Sequence, residues 1–227
     1  MRRLSGDDFE NAVPALGALL ADTVGGGASL GFRAPFTPAD AAAWWRGQAA
    51  AVRSGALVVW TASDVDHADT GTGRALGTVC LAFNSWANGA HRADVVKLMV
   101  HRDARGQGLG RALLATAEAF AAESGITLLM LDTESDSPAD HMYAAAGWTR
   151  YGVVPAYAAD PDGVPRDCTF FYKPLENRAV AVAMAYTPGK TLEIVDGPTA
   201  GTRRAPGPQY PRADGASAQG GGAEVRA

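Results

Sequence analysis

One stretch of the chain, VVKLMVHRDARGQGLGRALL at residues 95–114, passes from a β-branched apolar run through a glycine-rich turn directly into a helical pattern. A strand that ends in such a turn leaves backbone N–H groups pointing into the turn, with the positive end of the helix dipole behind them. Gly106, Gly108 and Gly110 carry no Cβ, so an anion can approach the backbone closely. The stretch predicts an anion-binding loop, and a solvated turn is the alternative.

Two familiar glycine motifs do not fit this loop. The dinucleotide fingerprint G-x-G-x-x-G fails because Arg111 stands at the third glycine position when counted from Gly106, and Leu113 stands there when counted from Gly108. A Walker loop needs Gly-Lys followed by Ser or Thr, which this stretch lacks. Arg105 and Arg111 flank the glycines instead, where they can add charge-assisted hydrogen bonds to a phosphate.

Charge and composition exclude some classes of function. The 227-residue chain has a formal net charge of −4 and a pI near 5.5, which argues against a sequence-blind nucleic-acid binder. The opening MRRLSGDDFE has no apolar core after its arginines, and no apolar run approaches the roughly 20 residues of a bilayer span. We therefore expect a cytoplasmic protein with no nucleic-acid or membrane partner.

The two cysteines, Cys80 and Cys168, each lie in a strand-like apolar run and outside any CxxC or Cys/His cluster. This placement favours buried, reduced thiols over a metal site, so no bound metal is expected. A disulfide between them stays open, because it depends on strand geometry that the sequence does not supply.

Apolar periodicity predicts an alternation of strands and helices. Helices are expected from Ser5 to the glycines at 25–27, with Pro14 casting doubt on the first half, and from Thr37 to Gly55 without a break. Strands and two further helices follow in the order β at 56–62, 74–83 and 93–100, α at 109–125, β at 126–133, α at 137–147, and β at 148–154 and 166–175.

This order predicts an α/β fold with a mixed sheet and helices on both faces. The nearly unbroken apolar run ITLLMLDT is typical of a strand covered on both faces, and Glu118 and Glu123 are expected to face water. One domain is expected over residues 1–175. Residues 176–227 are poor in large apolar groups and are expected to form a largely disordered extension.

Two motifs resemble those of the GNAT acetyltransferase superfamily. The spacing of Arg105, Gly108 and Gly110 after KLMV resembles the family's pyrophosphate-binding loop. The run DSPADHMYAAAGW resembles the family's second motif, with five positions in register: Ala139, Met142, Tyr143, Gly147 and Trp148. The resemblance implies a GNAT fold with a central, mostly antiparallel sheet, in which a splayed pair of strands binds acetyl-CoA as co-substrate.

The resemblance also implies which residues contact acetyl-CoA. The main chain near Leu98 and Val100 would hold the pantetheine arm. Asp136 stands where many members carry Asn, so the contact there is open between Asp136, Ser135 and Ser137. The full set implied by the resemblance is Leu98, Met99, Val100, Arg105, Gly106, Gln107, Gly108, Leu109, Gly110, Arg111, Asp136, Ser137 and Tyr143.

Acetyl transfer to an amine needs a group that takes a proton from the ammonium and a group that protonates the departing thiolate. Tyr143 occupies the position of the family's general acid, and packing of its ring alone is the alternative. Asp94 opens the strand before the loop and Asp132 ends the neighbouring strand, so both are candidates to face the amine. Alternatively, Asp132 and Glu134 satisfy loop amides.

Other polar residues are weaker candidates for this chemistry. Lys97 either is solvated or faces the substrate. The histidines are candidate bases by residue type alone, and most such histidines lie on a protein surface. They are His91, His101 and His141.

A finer similarity joins LDTE at 131–134, a tyrosine eleven residues after its aspartate, and the turn YAADPDG at 157–163. These features are similar to the tabtoxin-resistance branch of the superfamily, in which the positions of Asp94, Asp132 and Tyr143 are linked to the substrate amine and to acid/base work. The similarity implies a primary amine on a small molecule as acceptor, such as an amino-acid-like or β-lactam antibiotic.

Several points stay open at this level. The acceptor can also be a protein N-terminus, a lysine or an amino-acid metabolite. A CoA-binding regulatory module without catalytic activity is the alternative to an enzyme. A homodimer is compatible with the sequence. The aromatic residues of the front half are expected in the core more than in a pocket; they are Phe32, Phe36, Trp44, Trp45 and Trp86.

Overall fold

The computed structural model describes residues 1–64 and 73–175, so the predicted C-terminal extension lies outside the described residues. The helices are α1 (Gly6–Gly25), α2 (Pro38–Gly47), α3 (Ala49–Ser54), α4 (Leu109–Glu123) and α5 (Pro138–Ala145). The strands are β1 (Arg2–Arg3), β2 (Leu57–Ser63), β3 (Ala75–Phe83), β4 (Arg92–Val100), β5 (Leu128–Glu134), β6 (Thr149–Ala159) and β7 (Pro165–Pro174).

The strands form one seven-stranded sheet in the order β1-β2-β3-β4-β5-β7-β6. Every neighbouring pair is antiparallel except β4 and β5, which run parallel. The predicted mixed, mostly antiparallel sheet is therefore confirmed. The parallel pair follows from the connection through α4, since parallel strands need a crossover that usually contains a helix.

The helices cover the sheet on both faces, as the element order predicted. Leu16, Leu20 and Trp45 of α1 and α2 pack on one face together with Val59 and Cys80. The opposite face packs against α4 through a second cluster, whose members include Val79, Leu81, Leu113, Leu114 and Phe171. Neighbouring residues along β2 and β3 belong to different clusters because side chains alternate across a strand.

Two helices differ from the sequence prediction. α1 runs without interruption through Pro14, because its buried face contributes more than the roughly 3 kcal/mol that an internal proline costs. The single helix expected up to Gly55 is divided at Gln48, whose N–H donates to the Trp45 carbonyl at 2.9 Å. Its first part begins as expected, with a capping box formed by Thr37 and Asp40.

Other predictions about exposure were wrong. Burial along β5 alternates, because Leu129 and Leu131 are buried while their neighbours are only half-buried, so one face of this strand is incompletely covered. Glu118 does not face water: it accepts hydrogen bonds from Trp148 Nε1 and Lys173 Nζ, each at 2.7 Å. Trp86 is 73% exposed and does not lie in the core.

Candidate active site

Strands β4 and β5 pair only at their beginnings. The paired positions are Arg92 with Leu128, Ala93 with Leu129 and Asp94 with Met130. Beyond them β4 continues to Val100 and β5 to Glu134, and the two strands no longer pair with each other. The sheet thus contains a wedge-shaped opening between these two strands. This opening confirms the predicted splayed pair and leaves the main chain of Leu98 and Val100 without a partner on β5.

A β-bulge in β4 shapes one side of the opening. Thr78 pairs with Met99 and Cys80 pairs with Val96, so two residues of β4, Lys97 and Leu98, lie opposite one residue of β3. Lys97 has a φ of 52°, which is uncommon for a residue with a side chain. The bulge turns its side chain toward α2.

The glycine-rich loop has the features of an anion site. Gly106 and Gly108 have φ values of 76° and 78°, and a Cβ built on either would meet no heavy atom within 4 Å. Among the described residues, none of the backbone N–H groups from Gly106 to Arg111 has a hydrogen-bond acceptor. Because these groups lie at the N-terminus of α4, they form a concave set of donors suited to phosphate.

The arginines of the loop differ in their contacts. Arg105 donates from Nε to the carbonyl of Val100 at 3.2 Å, which ties the loop to the end of β4. Arg111 is exposed and forms no ion pair within the described part of the chain. Gln107 donates to the carbonyl of Asp103.

The glycine-rich loop and the motif around Tyr143 meet at Gly110. A Cβ on this glycine would lie 3.3 Å from Met142 Sδ and 3.6 Å from Val100 Cγ2. The glycine therefore lets α4 approach both α5 and the end of β4. Met99, in contrast, is 2% exposed in the core under α1, so only its main chain can contact a ligand.

Asp94 and Asp132 lie half-buried on the same face of the sheet, on the two strands that diverge. Burial raises the pKa of Asp94, and Arg92 lowers it in part. Burial also raises the pKa of Asp132, against the effect of Lys97 and with a further contribution from Asp94. Each carboxylate therefore holds a proton more readily than an ordinary aspartate, as a group that accepts a proton from an amine should.

Lys97 is 8% exposed and sits among aromatic rings. Its Nζ donates to the carbonyl of Leu30 at 2.9 Å and lies 5.3 Å from the ring centre of Phe32 and 5.2 Å from that of Trp44. Burial lowers its pKa to about 8, against the opposing effects of Cys80 and Asp132. The predicted alternative of a solvated lysine is thus wrong.

Tyr143 projects from α5 into the cluster under α4 and is 6% exposed. Its ring packs against Trp148 and Phe171, with centroid distances of 6.0 and 5.9 Å. Its hydroxyl forms no hydrogen bond within the described residues. Burial, followed by the charge of Asp132, raises its pKa, so the phenol is protonated at neutral pH.

The start of α5 is held by its own side chains. Ser137 caps the helix by accepting from the N–H of Asp140, and Ser135 hydrogen bonds to Thr169 at 2.8 Å. Asp136 is exposed, has a φ of 60°, and donates its N–H to the Asp140 carboxylate at 2.8 Å. Contacts of Asp136 and Ser137 with acetyl-CoA stay predictions.

The histidines lie away from the two aspartates. His101 faces Asp22 and Asp103 in the segment before the loop, while His91 and His141 are exposed. Cys80 and Cys168 are buried and unpaired, as expected.

Comparison with known proteins identifies the chain. The model of the family described as Acetyltransferase (GNAT) family matches residues 31–148, just over half of the chain. The chain belongs to the GNAT acetyltransferase family. It is accordingly an acyltransferase of the N-acetyltransferase type.

Solved GNAT structures have the same fold. A GCN5-related N-acetyltransferase from Kribbella flavida is 24% identical, with a TM-score of 0.58 over 72% of this chain and 92% of its own. A phosphinothricin acetyltransferase from Sinorhizobium meliloti, solved with acetyl-CoA, is 19% identical, with a TM-score of 0.62 over 83% and 92%. A ribosomal-protein-alanine N-acetyltransferase from Brucella melitensis is 22% identical, with a TM-score of 0.58 over 73% and 96%.

Two features of this GNAT enzyme were not predicted from its sequence. Phe32, Phe36 and Trp44 are partly buried, and two of these rings enclose the ammonium group of Lys97. Phe170 of β7 lies opposite Asp132 in the sheet and shares its face. The period-two pattern of β7 could have revealed the second feature, whereas the bulge that directs Lys97 leaves no mark in the sequence.

Within the described ranges, no helix is both long and apolar enough to cross a bilayer.

Proposed function

We propose that this enzyme transfers the acetyl group of acetyl-CoA directly to a primary amine of a small molecule. The divergence of β4 and β5 beyond Asp94 and Met130 carries the proposal, because it opens the sheet beside two carboxylates whose pKa values are raised. An enzyme that binds both substrates at such an opening needs no covalent intermediate.

The residues of the glycine loop fit the pyrophosphate of acetyl-CoA. The free N–H groups of residues 106–111 supply donors, and Gly106 and Gly108 leave the backbone open to close approach. The unpaired main chain of Leu98 and Val100 would hold the pantetheine arm. Leu109, Gly110 and Arg111 complete the loop, and Asp136 and Ser137 would contact the cofactor from the start of α5.

The proposed chemistry moves three protons. Asp132 or Asp94 takes a proton from the acceptor ammonium, directly or through water, and the free amine attacks the thioester carbonyl. The C–N bond forms, the C–S bond breaks, and the extra proton on the new amide nitrogen passes, directly or through water, to the Tyr143 oxygen as Tyr143 donates its hydroxyl proton to the departing thiolate. The raised pKa of Tyr143 keeps that proton in place until the thiolate appears.

A cysteine intermediate is disfavoured. Burial raises the pKa of Cys80 to about 12 and that of Cys168 to about 11, so both remain thiols at neutral pH. A thiol is a poor nucleophile compared with its thiolate. Direct transfer in a ternary complex is therefore the better account.

The acceptor we favour is amino-acid-like or a β-lactam antibiotic, in a resistance or detoxification role. The support is the similarity of the LDTE and YAADPDG segments to the tabtoxin-resistance branch, together with the phosphinothricin acetyltransferase among the solved relatives. A cytoplasmic location and a homodimer accompany this proposal. The exposed edge strand β6, with Val153 and Val154 at 54% and 43% exposure, supports the dimer.

One rival has an observation in its favour. A solved relative is a ribosomal-protein-alanine N-acetyltransferase, which supports a protein N-terminus as the acceptor. A lysine or an amino-acid metabolite would use the same site. A regulatory module without catalysis is disfavoured because Tyr143, Asp94 and Asp132 are all present.

Calorimetry tests the cofactor and an acceptor screen tests the reaction. We expect heat of binding with acetyl-CoA, and release of free CoA with small primary amines. Absence of heat with folded protein would overturn the whole proposal, while activity on peptides alone would favour the rival acceptor.

A matched pair of variants tests the loop. Gly108 and Gly55 have φ values of 78° and 76°, and a Cβ on either meets no heavy atom within 4 Å. Gly108→Ala should weaken acetyl-CoA binding by roughly tenfold, since it strains the loop and places a methyl group against the phosphate. Gly55→Ala, with the same strain at a distant helix end, should leave the affinity unchanged. Equal affinities for both variants would exclude the loop as the phosphate site.

A further inference from the structure

The face of the sheet that carries Asp94 and Asp132 is only partly covered by helices. The buried cluster under α1 and α2 takes residues from β2, β3 and β4, and none from β5, β6 or β7. The loop between α1 and α2 reaches the far end of this region, where Ala34 N–H donates to the carbonyl of Pro161 at 2.9 Å. The region is thus bordered on two sides, and its base is formed by the strands.

Aromatic rings occupy this base. Phe170 and Tyr172 alternate along β7 and are half-buried. Tyr151 of β6 lies beside both of them, with centroid distances of 6.0 Å to each ring, and it is 53% exposed. We call Tyr151, Phe170 and Tyr172 the aromatic floor.

The floor adjoins the two carboxylates. Phe170 is the direct partner of Asp132 across β5 and β7, and Tyr172 is the partner of Met130, which in turn pairs with Asp94. The charges of Asp132 and Asp94 also raise the pKa of Tyr151, after the larger effect of burial. A ligand on the floor therefore meets apolar ring faces on one side and negative charge on the other.

Two cations near this face already have partners. Lys97 donates to the Leu30 carbonyl between its two rings, and Arg92 lies close enough to Asp94 to lower the pKa of that carboxyl. The rings beside two carboxylates suit an ammonium group attached to an apolar, flat body. Ring faces attract both an aromatic group and a cation.

We propose that the aromatic floor binds the body of the acceptor and that the acceptor is a primary amine carrying an aryl group. This inference rests on the proposed acetyl transfer and narrows its substrate class. Asp132 and Asp94 hold the ammonium group at the opening between β4 and β5, and the aryl group stacks on Tyr151, Phe170 and Tyr172. The floor thereby determines which amines are accepted.

The test compares two amines on the full-length enzyme at saturating acetyl-CoA, following the release of CoA thiol. With 2-phenylethylamine, kcat/KM should exceed that with n-butylamine by about tenfold, the amount that one aromatic contact of roughly 1.4 kcal/mol provides. Tyr151→Ala should reduce this ratio toward one, mainly through KM, and Tyr151→Phe should preserve it. Tyr151 is half-exposed, so its truncation spares the core.

A control variant lies on the same strand. Val153 is 54% exposed and pairs with Thr169, outside the floor. Val153→Ala should leave the ratio of the two kcat/KM values unchanged. An equal or higher rate with n-butylamine, or a Tyr151→Ala enzyme that keeps the full preference, would overturn the proposal.

Three other outcomes separate this inference from the proposed function. If acetyl-CoA binds and neither amine is acetylated, the aryl-amine acceptor is wrong while cofactor binding stands. If sedimentation shows that Tyr151→Ala changes the oligomeric state, a second copy of the chain covers the floor, and the acceptor proposal fails. Lack of acetyl-CoA binding would reject the proposed function itself.

Discussion

Asp94 and Met130 are the last paired residues of the parallel strands β4 and β5. From this pair onward the two strands separate, and the carboxylates of Asp94 and Asp132 are left on one face of the opening. The pairing matters because, in the reaction proposed above, the acetyl group and the amine meet where it ends. The following predictions concern the residues around this point.

Tyr143→Phe should lower kcat by about 10²- to 10⁴-fold, the usual contribution of a general acid, while the Kd for acetyl-CoA stays unchanged. The ring remains in its packing against Trp148 and Phe171, so the fold should persist. Steady-state kinetics and calorimetry measure the two quantities. An unchanged kcat would mean that Tyr143 contributes to packing and is not the general acid.

Asp132→Asn should reduce kcat/KM strongly and yet leave the protein at least as stable at pH 7. The folded pKa of Asp132 is raised, so its ionisation costs folding energy at pH values above the unfolded pKa of 3.8. Below that pH Asp132 is protonated in both the folded and the unfolded protein, so the difference in stability between Asp132→Asn and the unchanged protein vanishes. Urea unfolding at about pH 7 and at about pH 3 checks this sign, and a large loss of stability at pH 7 would contradict it.

Lys97→Met should move the acidic limb of the pH profile of kcat/KM to higher pH. Lys97 lowers the pKa of Asp132, so its removal makes that carboxyl hold its proton to a higher pH. Lys97→Arg keeps the charge and should leave the limb closer to its original position. A profile that Lys97→Met does not move would show that Asp132 is not the titrating base.

Gly17→Ala should destabilise the fold by about 1–3 kcal/mol, the usual cost of overpacking a core. Gly17 lies where α1 and α2 are closest, and a Cβ there would be 2.9 Å from the backbone nitrogen of Ala42. Gly47→Ala is the matched control, because a Cβ at Gly47 meets no heavy atom within 4 Å. Equal unfolding free energies for both variants would show that the helices can move apart.

Local sequence patterns determined most helices and strands and the glycine-rich loop. Glycines and arginines between a β-branched run and an apolar helix predict the loop, because backbone conformation and helix dipole are properties of adjacent residues. The motif around Tyr143 predicted α5 in the same way. These features depend on spacing along the chain, so they could be identified before any tertiary contact was known.

Contacts between distant segments were decided by tertiary structure alone. Glu118 was expected to face water, but Trp148 and Lys173 reach it from other elements. The bulge at Lys97 and the pairing of Asp132 with Phe170 depend on strand register, in which a shift of one residue moves every side chain to the other face. The sequence by itself determined the glycine-rich loop and the candidate acid and bases. Only the packed sheet decided which rings and charges lie beside Asp94 and Asp132, because those neighbours are set by long-range pairing.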